Sequence, residues 1–368
     1  MLPSRKRKLW IALVVIIISA AIAGVVYLRK RSAPQPARLL PESDAVLYVN
    51  LRLMRLETIF RHASPVAHDP DYEHFVQATG FQFERDLDQA ALAMHASGSP
   101  LNPGVPSSGS IAANARFSEI FVARFDAARV SDYLRRLASS TDHYRDMEIY
   151  NIPHEGRTVR VAILGVGTVA VSNVNDGLVI RTMIDNYLAE AKPLSGPSLV
   201  SDFYRHVPLG SVAWAIVKFA PSSNRSLPLP GGFDLAAQSL AGSVIVGSAR
   251  YVGSVHLRIQ DFNSSEQNAR NLRETAETLL GFVRSTGTPL QTGASDSDVK
   301  AFFDSIKLEQ KGDNVVLTAT LPSEFITKAL SGPPLVPDEA APEPAPAAQP
   351  QPTPRARTPA SKTNPSRR

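Results

Sequence analysis

Leu40-Pro41-Glu42-Ser43-Asp44-Ala45-Val46-Leu47-Tyr48-Val49 runs from a proline turn into an alternating apolar stretch, and Val207-Pro208-Leu209-Gly210-Ser211-Val212-Ala213-Trp214-Ala215 does so again. Proline and the small polar residues after it favour a turn, while the β-branched and aromatic residues that follow favour a strand. A turn feeding an aromatic-bearing strand, used twice, predicts two related halves, over 39 to 195 and 205 to 331.

Working outward in the first half, Ala90 to Ala96 and Ser118 to Phe125 read as further strands. The second of these ends at Asp126, placed to cap a helix whose Val130, Tyr133, Leu134 and Leu137 share one face. Met147 to Val174 reads as two or three antiparallel strands, because Val159, Val161 and Ile163 alternate with Thr158, Arg160 and Ala162. Asp176 then precedes a helix carrying Val179, Ile180, Met183, Ile184, Tyr187 and Leu188 at helical spacing.

The second half repeats the step from strand to helix. Val255 to Phe262 leads to Asn263 and a helix bearing Leu272, Ala276, Leu279, Leu280 and Val283, with Asn263 and Glu266 at capping-box spacing. Ser305 to Gln310 and Asn314 to Leu321 flank the turn Lys311-Gly312-Asp313, and Pro322-Ser323-Glu324 starts a last helix. The predicted class is α+β, each half placing helices on one face of an antiparallel sheet.

Ahead of this domain, Leu9 to Leu28 is a run of twenty uncharged residues. As a helix it spans about 30 Å, the thickness of a bilayer's hydrocarbon core. Trp10 and Tyr27 fall at its ends, where aromatic rings prefer the membrane interface. Arg5, Lys6, Arg7 and Lys8 precede it and Arg29, Lys30 and Arg31 follow, all within reach of lipid phosphates. Cleavage after Ala21-Ile22-Ala23 is the rival reading; Val25 to Leu28 continue the apolar run and favour retention as a signal-anchor. The expected layout is a basic cytoplasmic segment over 1 to 8, the span over 9 to 28 in the inner membrane, a linker over 29 to 38 and an exported domain. Gly332 to Arg368 holds eleven prolines and almost no large apolar side chain, so it reads as a disordered tail.

In this layout, the Leu40 to Val49 opening and the step Phe121-Val122-Ala123-Arg124-Phe125-Asp126, the chain resembles a group of uncharacterised bacterial single-pass exported proteins. The resemblance covers about residues 39 to 330, rests on patterning and implies an envelope location. It implies no active site.

The net charge of +5 sits in the termini. Residues 1 to 38 hold eight Lys and Arg with no acid, and 333 to 368 hold five against three acids, so 39 to 332 carry 26 basic and 31 acidic residues. A domain of net charge −5 does not attract nucleic acid by counterion release. The absence of cysteine excludes disulfides, thiolate metal sites and a cysteine nucleophile.

Motifs that carry chemistry read weakly. Gly165-Val166-Gly167-Thr168-Val169-Ala170 matches a dinucleotide fingerprint, but a strand follows where the phosphates need a helix N-terminus, so a hairpin turn is expected. His62, His68 and His74 lie among Asp69, Asp71 and Glu73, with Pro65 and Pro70 interrupting any helix there. His256 alternates with apolar neighbours and is expected to face water. Ser297-Asp298-Val299-Lys300 lacks the companion motifs of serine acyltransferases. The pairs Asp86 and Asp88, and Glu274 and Glu277, are expected on exposed faces. No catalytic, cofactor or metal residue is therefore assigned. The Pro/Gly-rich loops Ser97 to Ala115 and Ala220 to Gly232 are left as binding candidates, with Leu227, Leu229 and Phe233 offering apolar side chains to a protein or lipid partner. A non-catalytic binding or scaffolding domain on a membrane anchor is the preferred function; an envelope hydrolase and an apolar-ligand carrier are the alternatives.

Overall fold

The structure is a computed structural model, and it describes residues 32–56, 70–95, 116–189, 196–219, 226–229, 233–236, 240–286 and 296–322. The expected span over 9 to 28 with its flanking residues Arg5 to Arg31, the loop 97 to 115, His62 and His68, and the tail over 332 to 368 lie outside the described residues. Among the described residues no helix is long and apolar enough to cross a membrane.

The helices are α1 Gln35–Leu39, α2 Leu51–Leu56, α3 Pro70–Thr79, α4 Phe83–Asp86, α5 Ala127–Leu137, α6 Leu178–Leu188, α7 Ser198–Phe203, α8 Glu266–Thr286 and α9 Asp296–Ser305. The strands of the first half are β1 Ala45–Asn50, β2 Leu87–His95, β3 Arg116–Ala123, β4 Ser140–Tyr144, β5 Met147–His154, β6 Arg157–Gly165 and β7 Thr168–Ser172. Those of the second are β8 Ser211–Lys218, β9 Ser226–Leu229, β10 Phe233–Ala236, β11 Val244–Tyr251, β12 Val255–Phe262, β13 Lys307–Lys311 and β14 Asn314–Leu321.

Twelve strands form one sheet in the order β13-β14-β12-β11-β8-β1-β2-β3-β7-β6-β5-β4, while β9 and β10 pair apart from it. Neighbours in the large sheet run antiparallel, as short hairpin connections allow. The two proline-led strands meet at its centre, where Tyr48 on β1 faces Trp214 on β8.

The expectation of two halves with helices on one face is corrected in two respects. The main core cluster joins Tyr48, Ile120 and Ile184 of the first half to Trp214, Ile216 and Val246 of the second, so the two halves share part of their buried apolar surface. Helices also cover both faces. Val161 and Ala162 are successive residues of β6 and so point to opposite sides. Ala162 packs with Ile180, Met183 and Ile184 of α6, and Val161 with Val130 and Leu134 of α5. The reason lies in the strands: β5 to β7 are apolar at odd and even positions alike, and both faces need cover.

The linker is corrected as well. Ser32 to Arg38 reads as extended, yet α1 begins at Gln35 and buries Ala37, Leu39 and Leu40 in the main core. Pro36 is tolerated because a helix's first N–H groups have no internal partner in any case. Pro70, read as a helix breaker, is likewise the first residue of α3.

Local signals fare better. Asp126 accepts from the Ala128 and Arg129 amides at 3.0 and 3.2 Å and caps α5, and Asp176 accepts from Leu178 at 2.8 Å at the start of α6. Asn263 does not cap α8: its Nδ2 turns to Asp261 at 2.7 Å, and the Ser265 hydroxyl accepts from the Asn268 amide at 3.2 Å instead.

Candidate functional site

Three residue groups test the sequence expectations. Gly165-Val166-Gly167 turns between β6 and β7, so β7 follows the glycines and no helix N-terminus stands there to meet a phosphate. Gly167 has φ +79°, and a Cβ there would lie 2.5 Å from the Ala123 carbonyl oxygen; a Cβ at Gly165 would strike the Tyr187 hydroxyl. Both glycines are explained by close approach.

Leu227, Leu229 and Phe233 fall in the β9–β10 ladder, where Phe233 faces Leu229 and Leu235 faces Leu227. The stretch read as a loop is thus a two-stranded hairpin at the backbone level.

One of the two carboxylate pairs is also corrected. Asp86 is buried rather than exposed: Arg85 grips it at 2.7 Å and the Gln82 amide donates to it at 3.0 Å, which together hold its carboxyl below the usual range despite burial. Asp88 lies 2.5 Å from Arg55. Glu274 and Glu277 are exposed on α8, and Glu277 pairs with Arg273.

At one end of the central strands a cleft of about 450 Å³ gathers Glu42, Ser43, Asp44, His95, Asp202 and Lys218. His95 Nε2 stands 2.9 Å from the Ser118 hydroxyl, which is 3.1 Å from that of Ser172. On paper this is a serine beside a histidine with a carboxylate near. Ser118 is fully buried, so no acyl group can reach its oxygen. The Glu42 carboxylate is occupied by the Ser198 amide and hydroxyl, both at 2.9 Å. Burial lowers the His95 pKa against the pull of the Glu42 backbone and the Asp44 charge, and the imidazole bridges β2 to β3 through Ser118. Among the described residues no three His, Asp or Glu side chains stand together as a metal site.

On the opposite face of the central strands the described residues include exposed large apolar side chains. From edge to edge one row of directly paired residues reads Leu308, Leu317, Ile259, Gly247, Ala215, Leu47, Leu92, Glu119, Val171, Val161, Tyr150 and Thr141. Around α5, Val161, Val171 and Tyr150 are packed, and around α8 Val315, Leu308 and Ile245 are packed. Between those covered ends Leu47, Met94 and Ile259 remain about 40% exposed, at 41%, 39% and 42%. Glu119 is the only carboxylic acid in the row, and burial pushes its carboxyl up to about 7. Sequence reading passed over it, although Phe117, Glu119 and Phe121 share a face of β3 and an acid between two phenylalanines is the available signal.

No family model matches the chain, and no curated protein matches it. Among solved structures it is similar to TP0453 in crystal form III, at 12% identity and a TM-score of 0.42, over 81% of this chain and 98% of that one. Crystal form I of TP0453 is similar at 10% identity and a TM-score of 0.41, over 82% and 99%.

Proposed function

We propose that this chain is a membrane-anchored envelope protein whose domain binds a protein partner rather than catalysing a reaction. The observation that carries the reading is the strip of exposed apolar side chains in the middle of the large sheet. A soluble sheet normally covers an apolar face with helices, as α5 and α8 do for the outer strands here. Leaving Leu47, Met94 and Ile259 exposed on one strip costs solubility unless another surface meets it. The uncharged run over 9 to 28 supports the anchor, and the basic residues on either side of it support contact with lipid phosphate. Strand order supports a repeated unit: outward from the centre, β1-β2-β3-β7-β6 is matched by β8-β11-β12-β14-β13, and helices α5 and α8 follow the matched strands β3 and β12.

Photo-crosslinking amino acids at positions 47 and 94, in native membranes, test this. The expected result is one defined protein adduct from both positions, absent when the probe stands on exposed α8 at Glu274. Equal labelling of many proteins from all three positions contradicts the reading.

A further inference from the structure

On the face that carries Tyr48 and Trp214, the two halves of the sheet differ in chemistry. Outward from Tyr48 the directly paired positions are Ala91, Ile120, Ala170 and Ala162, all buried against the helices of the first half. Outward from Trp214 they are Ser248, Arg258, Thr318 and Lys307. Where one half has alanine and isoleucine, the other has a buried serine followed by arginine, threonine and lysine.

These residues line a second cleft of about 450 Å³, together with Arg250, His256, Ser305 and Thr320. His256, expected to face water, instead places Nε2 3.2 Å from the Ser254 hydroxyl and Nδ1 3.3 Å from that of Thr320. Arg250 stands opposite His256, two residues from Arg258, a diagonal of about 7–8 Å between backbones that long side chains close easily. Lys307 is two strands from Arg258, about 10 Å away at ordinary strand spacing.

None of the three cations forms an ion pair among the described residues, and no carboxylate lines the cleft. Elsewhere Arg55, Arg85, Arg129, Arg135 and Arg273 each lie within 4 Å of an Asp or Glu, while Arg136 and Arg181 have no ion pair among the described residues but lie over tyrosine rings instead. Three unopposed positive charges on one concave surface repel one another, in a domain that has acids to spare. The positive charge of Arg258 is felt at His206, whose pKa is lowered by burial, then by Arg205 and then by Arg258.

The geometry points to a binding site for a phosphate group in this cleft. A single carboxylate offers two oxygens and is saturated by one guanidinium, whereas a phosphate offers three or four acceptors. Two guanidinium forks, an ammonium and the Thr318 hydroxyl supply that many donors. The phosphate can come free from solution or on the headgroup of an anionic lipid, and the site does not depend on the protein-binding face proposed above.

Titration calorimetry on the full chain in nonionic detergent tests it, with inorganic phosphate as one probe and dihexanoyl phosphatidylglycerol as the other. Saturable binding of phosphate supports a free-ion site; binding of the lipid alone supports a headgroup site. In either case Arg258→Gln with Lys307→Gln is expected to weaken binding at least tenfold, with the unfolding midpoint unchanged. Lys307→Gln alone, at an exposed position, is expected to weaken it several-fold and serves if the double variant fails to fold. Failure of the wild type to bind either probe, or undiminished binding by the variants, overturns the proposal.

Discussion

Tyr48 and Trp214 stand directly opposite each other on β1 and β8, their rings stacked with centroids 5.5 Å apart and planes 25° from parallel. Tyr204 meets the indole edge at 5.3 Å, and both stacked residues are buried. The two proline-led strands are therefore joined through their aromatics, and the contact lies where the matched strand orders diverge. Trp214→Ala is expected to cost about 3–5 kcal/mol, the usual loss for a buried aromatic. Urea unfolding followed by circular dichroism checks it, and one transition is expected in wild type and variant alike because the core spans both halves. Two separate transitions in the wild type would refute the shared core. The indole Nε1 is buried and finds no acceptor among the described residues, so Trp214→Phe is expected to cost much less than Trp214→Ala.

Glu119 makes stability depend on pH in a direction opposite to an ion-paired acid. Its carboxyl is raised from 4.5 to about 7 by burial, so the folded state holds its proton over a range in which the unfolded state has released it. Stability attributable to this group is therefore full below about 4.5, falls as pH rises, and levels off above 7. Asp261, raised to about 6 by burial, acts in the same sense at slightly lower pH. Thermal midpoints of the wild type and Glu119→Gln at pH 5 and pH 8 are expected to show a smaller decline in the variant. An equal decline in both would remove Glu119 as the source.

Gly167→Ala is expected to destabilise by about 2–4 kcal/mol, combining a left-handed backbone with a steric clash. The clash is with the Ala123 carbonyl, which accepts no room from a side chain because Ala123 N–H donates to Gly167 O at 2.8 Å and fixes the two backbones together. Gly156→Ala shares the positive φ, +74°, but meets nothing within 4 Å. Its expected cost is about 1 kcal/mol, and the difference between the two variants measures the contact.

What could be read from sequence was what short-range chemistry decides. Asp126 caps α5 and Asp176, one residue before the Gly177 cap, accepts from the first amide of α6 because each needs only its own next turn, and the Lys311-Gly312-Asp313 turn joins β13 to β14 because Gly312 adopts φ +61° locally. Asn263 failed as a cap since Asp261, buried two residues away, competes for its amide. α1 was misread because burial of Ala37 and Leu39 against strands far along the chain outweighs two prolines' preference for extended backbone. The exposed strip and the cationic cleft were invisible for a related reason. Leu47 and Met94 become neighbours only when β1 pairs with β2, Ile259 joins their face only through β8 and β11, and Arg258 meets Lys307 only through β14.

The anchor predicts a fractionation result that the domain alone does not. Twenty consecutive uncharged residues favour hydrocarbon over water by far more than exposed rim charges can reverse, so alkaline carbonate is expected to leave the full chain in the membrane pellet. Removing residues 1 to 31 is expected to move it to the supernatant, since the domain's net charge of −5 opposes adsorption to anionic lipid. Extraction of the full chain by carbonate would dissolve the anchor and, with it, the membrane location. Retention of the shortened chain would instead shift attention to the strip around Leu47, where Leu47, Met94 and Ile259 stay exposed to water.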